Sequence, residues 1–212
     1  EEQWKILKGR HFLVHYVHAG DEVVAKRILD EAEDYYRGIG QRLGFTRYSD
    51  FWTWDNRAKI FLYPDQTSFV EQTHQPLWST GFSDRDSQVF QSRIIVTYKQ
   101  EREFFDGLLP HEISHLILHD FISDPGKIPI WLDEGIAQLA EPAKSAQARR
   151  IMKKLIRDKQ YIRLDYLAGL DIRRETETRR ATVFYAESLS IVEFLINRYG
   201  SDAFGRLCRV LR

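Results

Sequence analysis

Hydrophobic positions in the first hundred residues follow short strand patterns, interrupted by helical ones. Three segments are short and rich in β-branched and aromatic residues, which predicts strands: 10–17, 58–64 and 93–98. Residues 21–45 place apolar side chains at helical spacing and stop near Gly44, so we expect one long helix there. A short helix is expected over 65–74, followed by a loop and a short edge strand before the strand at 93–98.

From Glu101 onward the apolar period changes to about 3.6 residues, which predicts helices almost throughout. The predicted helices are 107–121, 130–140, 144–158, 182–199 and 202–211. Strands followed by helices are typical of an α+β fold with an N-terminal mixed sheet, not of a doubly wound sheet. No repeat or linker divides the chain, so we expect one domain over 1–212, with the sheet in 1–121 and a helical subdomain in 122–212.

Composition narrows the classes of protein that this chain can belong to. Lys and Arg together number 31, as do Asp and Glu, so the formal net charge is zero, whereas a nucleic-acid-binding protein normally carries a basic excess. Hydrophobic residues make up 43 %, as in globular domains. The single cysteine, Cys208, excludes an intrachain disulfide and is expected to be buried filler in the last helix. No apolar run approaches the roughly 20 residues of a membrane span.

The first residues, EEQW, lack an initiator methionine. A targeting segment that has been removed would explain this start, so we expect an extracytoplasmic location. Compartment and oligomeric state are otherwise open. His11 and His15 share one face of the first strand without an acid at matching spacing, and we expect both to be surface residues.

The segment LPHEISHLILHD, residues 109–120, carries two histidines four residues apart. On a helix His111 and His115 are separated by one turn and about 40° in azimuth, so both imidazoles can reach one metal ion. Glu112 lies about 100° round from His111, where it can act on a water molecule beside the metal. The alternative is an amphipathic helix whose histidines only lie near the core.

Two other residues of this segment need an account. Proline breaks helix interiors, and Pro110 is tolerated only if the helix starts near Gly107, so that Pro110 falls in the first turn. His119 continues the histidine face but drifts about 80° from His111, and we expect a polar tip near the helix end.

A second amphipathic helix, WLDEGIAQLAE over 131–141, offers a third metal ligand. Glu134 comes after 18 intervening residues from His115, enough for the first helix to end and a second to return alongside it. Asp133 points about 100° away and suits the helix N-terminus or a hydrogen bond to a ligand. The alternative for Glu134 is an ordinary first-turn acid stabilised by the helix dipole.

HEISH followed at this spacing by WLDEG resembles the gluzincin metallopeptidases, which include aminopeptidase N-like enzymes and smaller peptidase MA-like domains. The resemblance implies a zincin-like fold and one Zn²⁺ per chain, with His111, His115 and Glu134 as ligands and Glu112 as the general base. A metzincin would need a third histidine after a glycine beyond the motif, and this chain has none.

Residues 181–211 are similar to the segment of aminopeptidase N-like enzymes in which a tyrosine opens a helix that ends at a glycine. The family's tyrosine stabilises the oxyanion, and this role carries over to Tyr185, because a phenol donates a hydrogen bond without being charged at neutral pH. Tyr161 and Tyr166 are weaker candidates. The alternative is that Tyr185 is an amphipathic-helix residue with its hydroxyl in water.

In gluzincins the edge strand of the sheet lies above the zinc helix and pairs with extended substrate, a place that residues 81–90 occupy in the order of elements. Aminopeptidase N-like enzymes carry a Gly-x-Met-Glu-Asn-type motif there, whose glutamate holds the substrate's amino group. This chain has GFSDRD, in which neither Asp84 nor Asp86 matches that motif. Aminopeptidase and endopeptidase activity therefore both stay open.

The expected function is that of a zinc-dependent metallopeptidase acting on a peptide or protein substrate, without a nucleic-acid partner. One alternative is a zinc-binding, peptidase-like protein that holds a partner peptide on the same edge strand without significant turnover. Another is a zinc hydrolase with a different substrate. An intact Glu112 favours an enzyme over the binding protein.

Overall fold

The computed structural model describes residues 3–46, 52, 56–77, 79–84, 93–99, 104–175 and 177–212. The chain forms two compact units. The first comprises Glu1–Gly38 and Ser49–Leu116, and the second comprises Ile39–Tyr48 and Ile117–Arg212. The single domain over 1–212, with its division after residue 121, stays a prediction.

The first unit contains a five-stranded mixed sheet. Its strands are β1 (Lys5–Lys8), β2 (Phe12–Tyr16), β3 (Ala58–Tyr63), β4 (Gly81–Asp84) and β5 (Ile94–Tyr98). Their order is β1-β2-β3-β5-β4, with β2, β3 and β5 parallel and with β1 and β4 antiparallel to their neighbours. The predicted strands correspond to β2, β3 and β5, whereas β1 was not predicted. β4 is the edge strand expected within 81–90, of which residues 85–90, including Asp86, lie outside the described residues.

Buried apolar side chains on both faces of the central strands hold this sheet. Alternate residues of β2 and β3, such as Phe12, Val14 and Ile60, are fully buried. A separate buried cluster contains Phe61 of β3 and Phe69 of helix α2 (Gln66–Thr73). Burial on both faces is typical of parallel strands and explains their near-continuous apolar sequences.

Helix α1 (Glu22–Arg42) and helix α3 (Leu109–Ile122) confirm the predicted long helix and histidine helix. A π-helical turn, Phe104–Leu108, leads directly into α3. We expected the helix to start near Gly107, but the helical backbone begins at Phe104, and Pro110 is the second residue of α3.

Five described α-helices lie wholly in the second unit: α4 (Ile130–Ala140), α5 (Lys144–Arg157), α6 (Leu164–Leu167), α7 (Thr178–Tyr199) and α8 (Ser201–Val210). All but the one-turn α6 were predicted, although α7 begins four residues before the predicted 182. Cys208 is buried in α8, as expected. The fold is thus α+β, with an N-terminal mixed sheet and a mostly helical C-terminal part, as the sequence predicts.

Close packing of α4 against α7 depends on a glycine. A Cβ atom at Gly135 would lie 2.6 Å from the backbone oxygen of Ser188, closer than a carbon atom can approach without displacing the backbone. Gly135 therefore lets α4 approach α7 at its first turns, where the acidic pair Asp133 and Glu134 is located. No described helix combines the length and the apolar character that crossing a membrane requires.

Candidate metal centre

The two histidines of α3 converge on one point. His111 and His115 lie one turn apart, both half-buried, and their Nε2 atoms are 3.2 Å apart. Two nitrogen ligands at about 2.0–2.1 Å from a tetrahedral zinc ion lie roughly 3.4 Å from each other. The separation of the imidazole nitrogens thus fits two ligands of one zinc ion, as the i, i+4 spacing predicts.

The carboxylate of Glu112 is held by the edge strand of the sheet. Ser83 of β4 donates a hydrogen bond from Oγ to Glu112 Oε2, with the oxygens 2.5 Å apart. Both side chains are partly buried, so water competes weakly for this bond. Sequence analysis did not identify Ser83, because the only signal at 81–90 was that of an edge strand. Asp84, the described candidate for an amine-binding acid, is exposed at the end of β4.

In the second unit, the first turn of α4 carries Asp133 and Glu134, both half-buried. Asp133 Oδ2 lies 2.8 Å from Nε2 of His119, a residue near the end of α3. The side chains of His119 and Asp133 are 23 % and 21 % exposed, so His119 is an anchor for α4 and not the polar tip that we expected. Asp133 is an acceptor, as predicted, and the partner that the structure shows is His119.

Tyr185 lies on α7, half-buried against the cluster of Leu167, Ile172 and Phe184. Burial, and to a smaller extent the negative charge of Glu134, raises the pKa of Tyr185 to about 12. The phenol is therefore a neutral hydrogen-bond donor across the physiological range.

Tyr185 also borders a hollow of about 260 Å³ shared with Gln138 of α4 and Ala148 of α5. The weaker candidates differ from it: Tyr161 and Tyr166 are each 52 % exposed. The guanidinium of Arg180 lies 5.6 Å from the ring centre of Tyr166, so a cation contacts the face of this ring.

Five described side chains could hold a metal ion: His111 and His115 in the first unit, and His119, Asp133 and Glu134 in the second. Imidazole nitrogen and carboxylate oxygen are both ligands that zinc takes. His111, His115 and Glu134, the ligands that the resemblance to gluzincins implies, are among these five. The donor chemistry of these three residues fits zinc.

Comparison with known proteins places this chain. The profile of the peptidase MA superfamily matches residues 56–212. A search of curated proteins finds no match. The superfamily is one of peptidase-type enzymes that are usually zinc-dependent, and a peptide is the substrate that such a domain implies. Since the match covers well over half of the chain and includes both HEISH and WLDEG, the protein belongs to the peptidase MA superfamily.

Proposed function

We propose that this protein is a zinc-dependent metallopeptidase with a zincin-like fold, in which His111, His115 and Glu134 bind one zinc ion. The observation that carries the proposal is the 3.2 Å separation of the two imidazole Nε2 atoms. This separation is close to that of two nitrogen ligands on one tetrahedral zinc ion. Membership of the peptidase MA superfamily supports peptide hydrolysis as the reaction.

The position of Glu134 supports its role as third ligand. Its neighbour Asp133 bonds to His119 within the second unit. The negative charge of Glu134 also raises the pKa of Tyr185 on α7. Glu134 therefore has a local role beyond that of a first-turn acid at the helix dipole.

When bound, zinc supplies Lewis acidity, which acidifies a water molecule and polarises a carbonyl group. Glu112 removes the proton from the attacking water and delivers it to the amine that leaves. Ser83 fixes the carboxylate of Glu112 through Oε2. Among the described residues Oε1 accepts no hydrogen bond, and this oxygen is the one that takes up the proton.

Tyr185 stabilises the negative charge that develops on the carbonyl oxygen. Its raised pKa keeps the hydroxyl protonated at neutral pH, so it donates a hydrogen bond throughout the reaction. The phenol costs less to bury than a charged donor would, which suits its half-buried position in the apolar cluster around Phe184.

Substrate binding falls to strand β4. It pairs with β5 on one side only and is the last strand in the order of the described sheet. An edge strand offers unpaired backbone groups on which an extended peptide forms a further strand. Since the amine-anchoring motif of aminopeptidases is missing, we propose peptidase activity without a preference for a free N-terminus.

The deciding experiment measures metal content and hydrolysis together. We expect about one zinc per native chain by mass spectrometry, loss of zinc and activity in Glu134→Ala, and no change in the control Glu177→Ala, whose acid is exposed before α7. Activity is measured on a peptide library by mass spectrometry. A native chain without zinc after reconstitution, or Glu134→Ala with full zinc, contradicts the ligand set. If the native chain binds zinc but cleaves no peptide, the result favours a zinc-binding protein that holds a partner peptide without turnover.

A further inference from the structure

The second unit contains an apolar hollow that the proposed reaction does not use. It has a volume of about 640 Å³ and lies between α5, α7 and the segment before α6. Its lining is mostly aliphatic and aromatic and includes Met152, Ile156, Leu164, Ile191, Phe194 and Leu195. We call the surface made by these residues the α5–α7 groove.

Several large side chains of this groove face solvent. Ile156 is 61 % exposed, Leu164 is 69 % exposed and Phe194 is 58 % exposed. Single exposed apolar residues are ordinary, but three around one concavity form a contiguous patch of the kind that binds partners. The groove therefore has the shape and the composition of a binding surface.

One end of the groove is positively charged. A second hollow of about 530 Å³ shares Met152, Ile156 and Phe194 with the first and is bordered by basic residues. Of its three cations, Arg149 contacts Glu193 at 3.4 Å. The other two cations, Lys153 and Arg198, have no acidic partner among the described residues.

The length of the groove suits a short helix. Along α7 its lining extends from Glu187 to Arg198, a span of 11 residue steps or roughly 17 Å at 1.5 Å per residue. This equals about three turns of a partner helix, whose side chains at i, i+3 or i+4, and i+7 would reach the hollow. The furrow between two packed helices is also the kind of surface that a third helix covers.

We propose that the α5–α7 groove binds an amphipathic helix of a partner protein, about three turns long, with carboxylates at the end that meets Lys153 and Arg198. Charge complementarity selects this occupant, because Lys153 and Arg198 lie at one end of a mostly apolar groove. The acids of its lining already have partners: Glu193 contacts Arg149, and Glu187 accepts a hydrogen bond from the amide of Ile162. A membrane is a poorer match, since the apolar side chains line a concavity instead of projecting from a convex face.

The probe is a fluorescent 14-residue amphipathic peptide of Leu, Ala and Glu, with its glutamates in the first turn, compared with the same peptide carrying Lys at those positions. Fluorescence anisotropy with the full chain should show binding of the acidic peptide and at least tenfold weaker binding of the basic one. The double variant Lys153→Glu/Arg198→Glu should reverse this preference. Phe194→Glu should weaken binding of the acidic peptide by at least tenfold.

Two matched variants on α8 serve as controls. Arg206→Glu and Val210→Glu alter exposed residues outside the groove and should leave the affinity within about twofold. Circular dichroism checks the fold of each variant, and the charge reversal decides the question even if Phe194→Glu unfolds. Equal binding of both peptides, no binding, or an unchanged preference in the double variant overturns the proposal. Binding of phosphatidylglycerol vesicles in place of the acidic peptide overturns it in favour of a membrane.

Discussion

The two units hold their candidate catalytic residues by different means. In the first, His111 and His115 are brought together by one turn of α3, and a single hydrogen bond from Ser83 fixes Glu112. In the second, Glu134 is on α4, and its neighbourhood depends on the packing of α4 against α7. The proximity of residues four apart on one helix can be predicted from the sequence, whereas the packing of two helices cannot.

This difference separates substitutions that alter chemistry from those that alter packing. Replacing a side chain such as Glu112 changes one functional group and leaves α3 intact. Enlarging Gly135 would push α4 away from Ser188 and move every residue of its first turn. The substitutions proposed below therefore preserve side-chain size, so that each tests a group and not the fold.

The largest effect is expected for Glu112→Gln. The amide cannot accept the proton of the attacking water, so hydrolysis should fall by at least about 10³-fold while zinc stays bound. Metal content and peptide cleavage are measured on the same sample. Glu71→Gln, at an exposed position of α2, is the control and should keep both. Loss of zinc together with activity would show that Glu112 helps to hold the metal and is not simply the base.

Tyr185→Phe tests the corresponding group of the second unit. Removing one donor to the developing oxyanion should lower kcat by about 10²-fold, with KM and zinc content little changed. Tyr161→Phe, which removes the hydroxyl of an exposed tyrosine, should have no effect on kcat. Unchanged kcat in Tyr185→Phe would assign Tyr185 to packing against Phe184 alone.

A smaller effect is expected for Ser83→Ala, which releases the carboxylate of Glu112 without altering its chemistry. We expect kcat to fall by about three- to tenfold, which corresponds to the net contribution of about 0.5–1.5 kcal/mol of a typical hydrogen bond. Ser83→Thr keeps the hydroxyl and should restore most of the rate. Equal losses in Ala and Thr variants would mean that Ser83 shapes strand β4 and does not position Glu112.

Sequence alone predicted the elements that follow from local patterns of residues. The strands at β2, β3 and β5 have continuous apolar sequences because both faces are buried, and the histidine pair follows from its spacing. β1 was missed because its lysines, Lys5 and Lys8, are exposed in a short edge strand with little burial. Its pairing with β2, not its composition, makes it a strand.

Contacts between distant residues could not be predicted. His11 was expected on the surface, but it is 4 % exposed and its Nδ1 lies 2.6 Å from Glu33, 22 residues away. Likewise Ser83 and Glu112 are 29 residues apart in the chain. One sequence gives the chemistry of such residues but not their partners. The resemblance to gluzincins of HEISH followed at this spacing by WLDEG singled out Glu134.

The smallest effect that we expect is that of pH on the stability of the fold, and it has opposite signs in the two units. In the first, burial and then the charge of Lys59 lower the pKa of His15 to about 4, with the imidazole stacked 4.5 Å from the ring centre of Phe61. As pH falls from 6.5 towards 4, the unfolded chain takes up a proton that the folded chain refuses, so His15 makes the fold less stable. In the second, burial raises the pKa of Glu187, so this acid contributes stability below its unfolded pKa and loses it as pH rises through the folded one.

Urea unfolding of metal-free protein at pH 7 and pH 4.5 measures both contributions without interference from metal release. Relative to His15→Gln, the native chain should lose about 1 kcal/mol over this interval, less than the full pKa shift implies because the ring is partly exposed. Relative to Glu187→Gln, which keeps an acceptor for the amide of Ile162, the native chain should gain stability as pH falls. Equal pH slopes in the native chain and both variants would show that neither group differs in pKa between the folded and unfolded chain. Opposite slopes would show that acid acts on His15 of the first unit and Glu187 of the second in opposite directions.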